Sequence, residues 1–306
     1  MTQHPHAPGE RSSSFTAFGM RAEATTLRPG LHVVATPIGN LGDVSFRALG
    51  TLAAAAAVLA EDTRVTKTLL AHYGITTPLT PYHEHNAEEM RPRILARLKA
   101  GESLALVSDA GTPLVSDPGF KLVQAAVAEG IPVTGVPGPS AVLAALVVAG
   151  LPTDRFFFEG FLPAKSAGRR ERLEALRPVP GTLVFFESPR RVADMLADAR
   201  DVLGDRDAAV ARELTKYFEN VRRGTLGELA ERYAAEDAPK GEIVVLIGPP
   251  TQHAAETQAQ GDDAIDAKLR EALAKLSVKD AVAIVAQDTG MPRKRVYARA
   301  VALVKE

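Results

Sequence analysis

The stretch Leu31-His-Val-Val-Ala-Thr-Pro-Ile-Gly-Asn-Leu-Gly-Asp43 hands a short apolar run directly to a turn-rich segment. Leu31 to Ala35, bounded by Gly and Pro, has the look of a strand buried in a parallel sheet. Asp43 is then placed to cap a helix that carries Phe46, Leu49 and Leu52 at helical spacing. Strand, glycine loop and helix together form the repeating unit of an open α/β sheet, so the rest of the chain is read for that unit.

It recurs. Ala57 to Ala60 reads as a strand ending at Glu61 and Asp62, followed by a helix through Leu69 and Leu70 that closes near Gly74. Asn86 with Glu89 predicts a capping box for a helix that stops at Gly101. Leu104 to Ser108 is a strand, Asp117-Pro118 opens a helix ending at Gly130, Ile131 to Val136 is a strand, and Ser140 opens an apolar helix. After Leu151-Pro152 the rhythm restarts, with strands expected at Phe156–Phe158, Leu183–Phe186, Ala208–Ala211 and Ile243–Ile247. The expected organisation is a disordered tail over 1–28, an α/β domain over 29–150 and a second over 151–250. A linker over 251–263 and a small helical domain over 264–306 complete it.

Composition removes several classes of function. The 306 residues include 36 Lys and Arg against 37 Asp and Glu, a net charge of −1, which excludes a generally cationic nucleic-acid coat but not a local basic patch. The absence of cysteine excludes disulfides, thiolate zinc sites and cysteine nucleophiles. Eleven Phe, five Tyr and no Trp argue against an aromatic base-stacking platform. The longest apolar runs, Leu52 to Ala60 and Ala141 to Ala149, fall short of the roughly 20 residues of a membrane span. With no apolar stretch in MTQHPHAPGERSSSFTAFG, a cytoplasmic protein without a membrane partner is expected.

Three Gly/Pro-rich segments fall where a strand hands over to a helix: Thr36 to Asp43, Ser108 to Gly119 and Val136 to Ala141. Any one is compatible with a tight turn; three together mark a ligand site beyond the carboxyl ends of the strands. None has the P-loop spacing, and the first lacks the dinucleotide fingerprint. Charged clusters fall at other strand ends. Glu61-Asp-Thr-Arg64 offers a carboxylate held by an arginine, or simply a capped helix start. Tyr82-His-Glu-His-Asn86 has two histidines but no third metal ligand, so a polar cleft lining is favoured. Glu187-Ser-Pro-Arg-Arg191 reads as a helix start, Ser188 capping and Pro189 in the first position, with two arginines left for an anion. Arg212-Glu-Leu-Thr-Lys216, followed by Phe218-Glu219, is too charged for a core.

LHVVATPIGNLGD, LAEDTRVTKTLL, YHEHN, LVSDAGTPLVSDPG, VPGPSA, FFESPRR, ARELTKYFE and GEIVVLIGP, in this order, closely resemble the ribosomal RNA small-subunit methyltransferase I family, of the tetrapyrrole-methylase fold. The resemblance covers about Leu31 to Pro249, and the terminal segment is similar to that family's small helical domain. It implies two α/β domains with S-adenosylmethionine in the cleft between them. The implied reaction is 2′-O-methylation of a cytidine in the decoding region of 16S rRNA within the 30S subunit, by a homodimer. By that resemblance Pro37, Ala110, Gly111, Thr112, Pro113, Leu114, Val115, Ser116, Ser140 and Ala141 line the cofactor. Gly111-Thr112-Pro113 stands where tetrapyrrole methylases commonly have Gly-Asp-Pro, which favours the RNA branch over a tetrapyrrole methyltransferase of the same fold.

Methyl transfer from a sulfonium requires alignment and removal of a proton, and no metal. The candidate bases are Glu61, Asp62, Glu187 and Glu213. Arg64, Arg190, Arg191, Arg212 and Lys216 are the expected phosphate or carboxylate partners, joined by Arg293, Lys294 and Arg295 of the basic C-terminal stretch.

Overall fold

A computed structural model of the chain describes residues 13–114, 119–250, 265–289 and 293–305. It divides into two compact units, residues 1–174 with 181–248, and residues 175–180 with 249–306.

The larger unit holds two five-stranded sheets. A hairpin comes first, β1 (Ser14–Ala17) and β2 (Met20–Glu23), paired antiparallel. The first sheet contains β3 (Gly30–Val34), β4 (Ala57–Ala60), β5 (Leu79–Pro81), β6 (Ser103–Val107) and β7 (Val133–Val136) in the order β5-β4-β6-β3-β7, every neighbour parallel. Its helices are α1 (Phe46–Ala54), α2 (Thr63–His72), α3 (Ala87–Lys99) and α4 (Phe120–Ala128). Alternation along the strands sorts the side chains onto two faces. Val58, Ala60, Ala105 and Val107 join α1 and α2 in one core, while Ala57, Leu59, Leu104 and Leu106 join α3 and α4 in another.

Helix α5 (Ala141–Ala149), capped by the Ser140 hydroxyl, leads into the second sheet. That sheet contains β8 (Phe156–Phe161), β9 (Thr182–Glu187), β10 (Asp207–Arg212), β11 (Asn220–Thr225) and β12 (Ile243–Ile247), ordered β11-β10-β12-β9-β8. Only β8 and β9 pair parallel; the other three pairings are antiparallel. Its helices are α6 (Ser166–Leu176), α7 (Val192–Leu203) and α8 (Leu226–Ala235). Val142, Ala145, Leu146 and Ala149 of α5 pack on Val184, Ala209, Ala211, Val244 and Leu246, and Ile38 from the loop after β3 enters the same core.

In the smaller unit α9 (residues 265–273), α10 (Val278–Thr289) and α11 (Arg293–Lys305) enclose Ile265, Leu269, Val282, Val285, Val296 and Ala300. Arg299 pairs with Asp266, with Nε at 2.9 Å from Oδ1.

Several local expectations change. The segment read as a disordered tail contains the β1–β2 hairpin, because Phe15 anchors it in the α1/α2 core and Thr16 N–H donates to Tyr73 O at 2.8 Å. Asp43 ends a short 3-10 turn, and Ser45 caps α1 instead, its hydroxyl accepting from Ala48 N–H at 3.1 Å. The Asn86 side chain does not cap α3, because it closes the preceding turn through His83 N–H and Pro81 O. Ser188 does not cap a helix: 188–191 form a turn, and α7 starts at Val192. The Asp117-Pro118 helix start lies outside the described residues; the described part of α4 follows Gly119.

Candidate functional site

In the first sheet β3 and β6 are neighbours, yet the chain leaves them in opposite directions, from β3 toward β4 and from β6 toward β7. Each connection crosses its neighbour's strand end, to the α1/α2 face after β3 and to the α3/α4 face after β6. In open α/β sheets, ligands bind at the carboxyl ends where connections part to opposite faces. Here the two loops are stitched together. Thr36 N–H donates to Gly111 O at 2.9 Å and Gly111 N–H to Thr36 O at 3.0 Å. Gly111 has φ +77°, and a Cβ there would lie 3.2 Å from Ile38 Cγ2, so both conformation and space ask for glycine. The third loop joins through Thr112 Oγ1, which donates to Pro139 O at 3.0 Å.

Two cavities of the larger unit share Ile38, Ala110 and Glu242. One, of about 430 Å³, is walled by Ala110, Gly111, Thr112, Ser140, Ala141 and Val142 on one side. Phe161, Phe186, Glu187, Ser188, Pro189 and 241–244 form the other. The second, of about 420 Å³, lies between the loop at 36–41, α2 from Val65 to Leu69, Ser108, Asp109, Ala110, Lys216 and Glu242.

Glu187 is the buried charge of the first cavity. At the end of β9, it is 3% exposed. Its Oε1 accepts from Ser188 N–H at 2.7 Å and lies 3.3 Å from Arg191 Nε. Oε2 is buried with no hydrogen-bond partner in the protein. A buried acceptor left unmade costs about 1–3 kcal/mol, so this oxygen asks for a donor from whatever fills the cavity. Arg191 turns its far end to Leu162 O and Pro163 O.

Lys216 organises the second cavity. Its ammonium donates to Glu213 Oε1 at 2.8 Å and to Glu242 Oε2 at 3.0 Å. Burial disfavours its charge, but the two carboxylates outweigh that and hold its pKa above the ordinary lysine value. The hydrogen bond from Lys216 in turn holds Glu213 below the usual carboxylate range. Gly39, at φ +144°, leaves the space that the Lys216 stem occupies.

Asp62 and Arg64 form a self-contained pair at the end of β4. Arg64 Nε and Nη2 grip both Asp62 oxygens at 2.6–3.1 Å, and the Arg64 backbone N–H adds a bond at 2.8 Å. Those bonds lower the Asp62 pKa to about 2. The Asp62 N–H donates to Asp109 Oδ1 at 2.9 Å, linking the ends of β4 and β6.

Of the residues singled out from sequence, Ala110, Gly111, Thr112, Ser140, Ala141 and Glu187 line the first cavity, and Pro37 and Lys216 the second. Pro113, Leu114, Glu61, Asp62, Arg64, Glu213, Arg190, Arg191 and Arg212 line neither. Val115 and Ser116 lie outside the described residues, as do the side chains of Lys294 and Arg295. Arg293 belongs to the smaller unit. Asp109 and Glu242 escaped the sequence reading. Each stands beside a loop glycine or alanine in a motif already noted, Ser-Asp-Ala-Gly and Gly-Glu-Ile, and that neighbourhood was the available signal. Among the described residues no group of three His, Asp or Glu is disposed to hold a metal ion.

Residues 30–230 match the family model of tetrapyrrole (corrin/porphyrin) methylases, and 259–304 match that of the RsmI C-terminal HTH domain. The chain is 53% identical over 277 residues to ribosomal RNA small subunit methyltransferase I of Mesorhizobium japonicum, covering 90% of this chain and 92% of that one. It is 50% identical to the protein of the same name from Pseudomonas aeruginosa, covering 88% and 96%. Among solved structures, a cobalt precorrin-4 methyltransferase superposes with a TM-score of 0.54 at 20% identity, over 71% of this chain and 94% of that one. A diphthine synthase does so with 0.56 at 17%, over 71% and 89%. At such identities these structures speak for the tetrapyrrole-methylase fold alone.

Proposed function

The chain belongs to the ribosomal RNA small subunit methyltransferase I family, and on that premise we propose that it methylates the 2′-hydroxyl of a cytidine ribose in the decoding region of 16S rRNA. The methyl donor is S-adenosylmethionine, whose sulfonium supplies an activated methyl group when bound. The observation that carries the reading is the pair of adjoining cavities, one fit for a cofactor and one for a nucleotide, meeting at Ile38, Ala110 and Glu242.

The first cavity suits the cofactor. Its volume of about 430 Å³ is of small-molecule size, within the range of roughly 300–1,000 Å³ for such sites. Ala110, Gly111, Ser140 and Ala141 bring backbone close to a ligand, while Ile38, Val142, Phe186, Ile243 and Val244 exclude water. The unpartnered Glu187 Oε2 accepts a hydroxyl or amino hydrogen of the ligand.

In the second cavity Lys216 presents a fixed positive charge to the acceptor ribose, stabilising negative charge as it develops on the 2′-oxygen. Glu242, on the shared wall, and Asp109 are the carboxylates that line this cavity and can take the proton. Asp62 is a poor base: at a pKa of about 2 with both oxygens gripped by Arg64, it serves to position Arg64 and the β4 end.

The working form in this reading is a cytoplasmic homodimer acting on assembled 30S subunits. Among the described residues no helix is long and apolar enough to cross a membrane. The test is transfer from methyl-labelled S-adenosylmethionine to 30S subunits lacking the modification, with naked 16S rRNA alongside and the label mapped by mass spectrometry. Label on a cytidine ribose is expected. Label on a base, or none with the cofactor bound, overturns the reading.

A further inference from the structure

Tyr217 and Phe218 project from the loop between β10 and β11, 93% and 67% exposed, with ring centroids 5.0 Å apart and planes at 89°. Large side chains are seldom left in water side by side without a partner to cover them. This loop is not slack. Glu213 and Thr215 are held at φ +54° and +67°, in a region that non-glycine residues rarely occupy. Thr215 N–H donates to Glu219 Oε2 at 2.5 Å, Lys216 N–H to Glu213 O at 3.0 Å, and Glu219 N–H to Lys216 O at 3.1 Å. At its base Glu213 N–H donates to Glu242 O and Glu242 N–H returns to Glu213 Oε1, each at 3.0 Å. The fixed loop therefore holds both rings out.

Lys216, the residue immediately before the rings, lines the nucleotide cavity. We propose that the exposed ring faces of Tyr217 and Phe218 form a stacking surface for an unpaired base of the RNA substrate next to the nucleotide being methylated, an inference that rests on the rRNA reading above. The surroundings select RNA over another apolar surface. Glu213 and Glu219 spend their carboxylates inside the loop, on Lys216 and Thr215 N–H. Arg212, which ends β10 at the foot of the loop and is bonded to Lys240 O at 3.1 Å, and the exposed Lys240 supply positive charge there for a phosphate. Sequence-specific RNA sites are unpaired segments whose splayed bases stack on aromatic side chains. The low aromatic content of the chain argues against an aromatic base-stacking platform, whereas stacking a single base takes one exposed ring face.

The chain has no tryptophan, so Phe218→Trp or Tyr217→Trp installs a single indole at the rings, excited selectively at the red edge where the tyrosines do not absorb. Its emission is titrated with a short single-stranded RNA, with the duplex of the same sequence and with unmodified 30S subunits. Quenching by single-stranded RNA and 30S, and not by duplex, is expected. The Tyr217→Ala/Phe218→Ala variant is expected to keep its affinity for S-adenosylmethionine and to raise KM for 30S roughly five- to 150-fold, the loss of one stacked base. Phe218→Trp retains a low KM.

Unquenched emission and an unchanged KM in an enzyme that methylates rRNA overturn the stacking surface and leave the proposed function standing. Emission that changes with protein concentration in the absence of RNA overturns it too, since the rings then cover a second copy. An unmodified rRNA after incubation with the unaltered enzyme sinks the proposed function, while the quench still reads stacking by itself.

Discussion

Thr36 and Gly111 exchange a reciprocal pair of backbone hydrogen bonds, 2.9 and 3.0 Å, so that the loops after β3 and β6 behave as one wall of the first cavity. Gly111→Ala forces a side chain into the left-handed region, at a cost of about 1–2 kcal/mol, and against Ile38 Cγ2. The expected outcome is a melting temperature lower by a few degrees and several-fold weaker binding of S-adenosylmethionine. Scanning and titration calorimetry check both.

Glu187→Gln keeps the volume and removes the charge. If Oε2 accepts a hydrogen bond from the cofactor, the substitution loses a charge-assisted bond worth about 1.5–3 kcal/mol, or ten- to 150-fold in Kd. Equal Kd values for the variant and the unaltered protein would remove Glu187 from the cofactor site.

The pKa of Asp62, about 2 against an ordinary 3.8, sets the sign of a pH effect. A carboxylate depressed on folding adds stability that is fully present above its unfolded value and disappears as pH falls through about 2. Asp62→Asn is therefore less stable than the unaltered protein at neutral pH, and the difference closes in strong acid. Activity shows no inflection from this group near neutrality. Carboxyl NMR of Asp62 with a midpoint near 4 would refute the Arg64 grip.

For the basic C-terminal stretch, Arg293→Gln, Lys294→Gln and Arg295→Gln together are expected to lower the slope of log affinity against log salt for 30S or rRNA. Each lost phosphate contact removes about 0.7–0.9 from that slope. Cofactor affinity stays unchanged. A slope equal to that of the unaltered protein would exclude these residues from the rRNA contact.

Much of this was legible because the buried parallel strands announce themselves. Ala57 to Ala60 and Ile243 to Ile247 were read with their observed limits, since an apolar run bounded by polar residues has little else to do. β5 and β11 were missed for opposite reasons. Leu79–Pro81 is only three residues long, and Asn220–Thr225 is a polar edge strand with no hydrophobic alternation. The glycine loops were found because space and φ > 0 both leave a mark on residue type. Which carboxylate faces a cavity leaves no such mark: Glu213 and Glu242 lie 29 residues apart and exchange hydrogen bonds, and only the β10–β12 pairing puts Glu242 on the cavity wall. Caps failed where a side chain had a nearer claim, as Asn86 does on His83 N–H.

The N-terminal hairpin acts as a remote gauge. Thr16 N–H is bonded to Tyr73 O at the end of α2, and the Tyr73 hydroxyl donates to Leu41 O at 2.6 Å. Leu41 and Val65, Thr66, Thr68 and Leu69 of α2 are walls of the second cavity. An opening of that cavity that draws the end of α2 from the hairpin breaks this tether, and the Thr16 amide then exchanges its hydrogen with water faster. A single proton some fifty residues upstream in sequence thus records whether this cavity wall is braced, without a probe entering it.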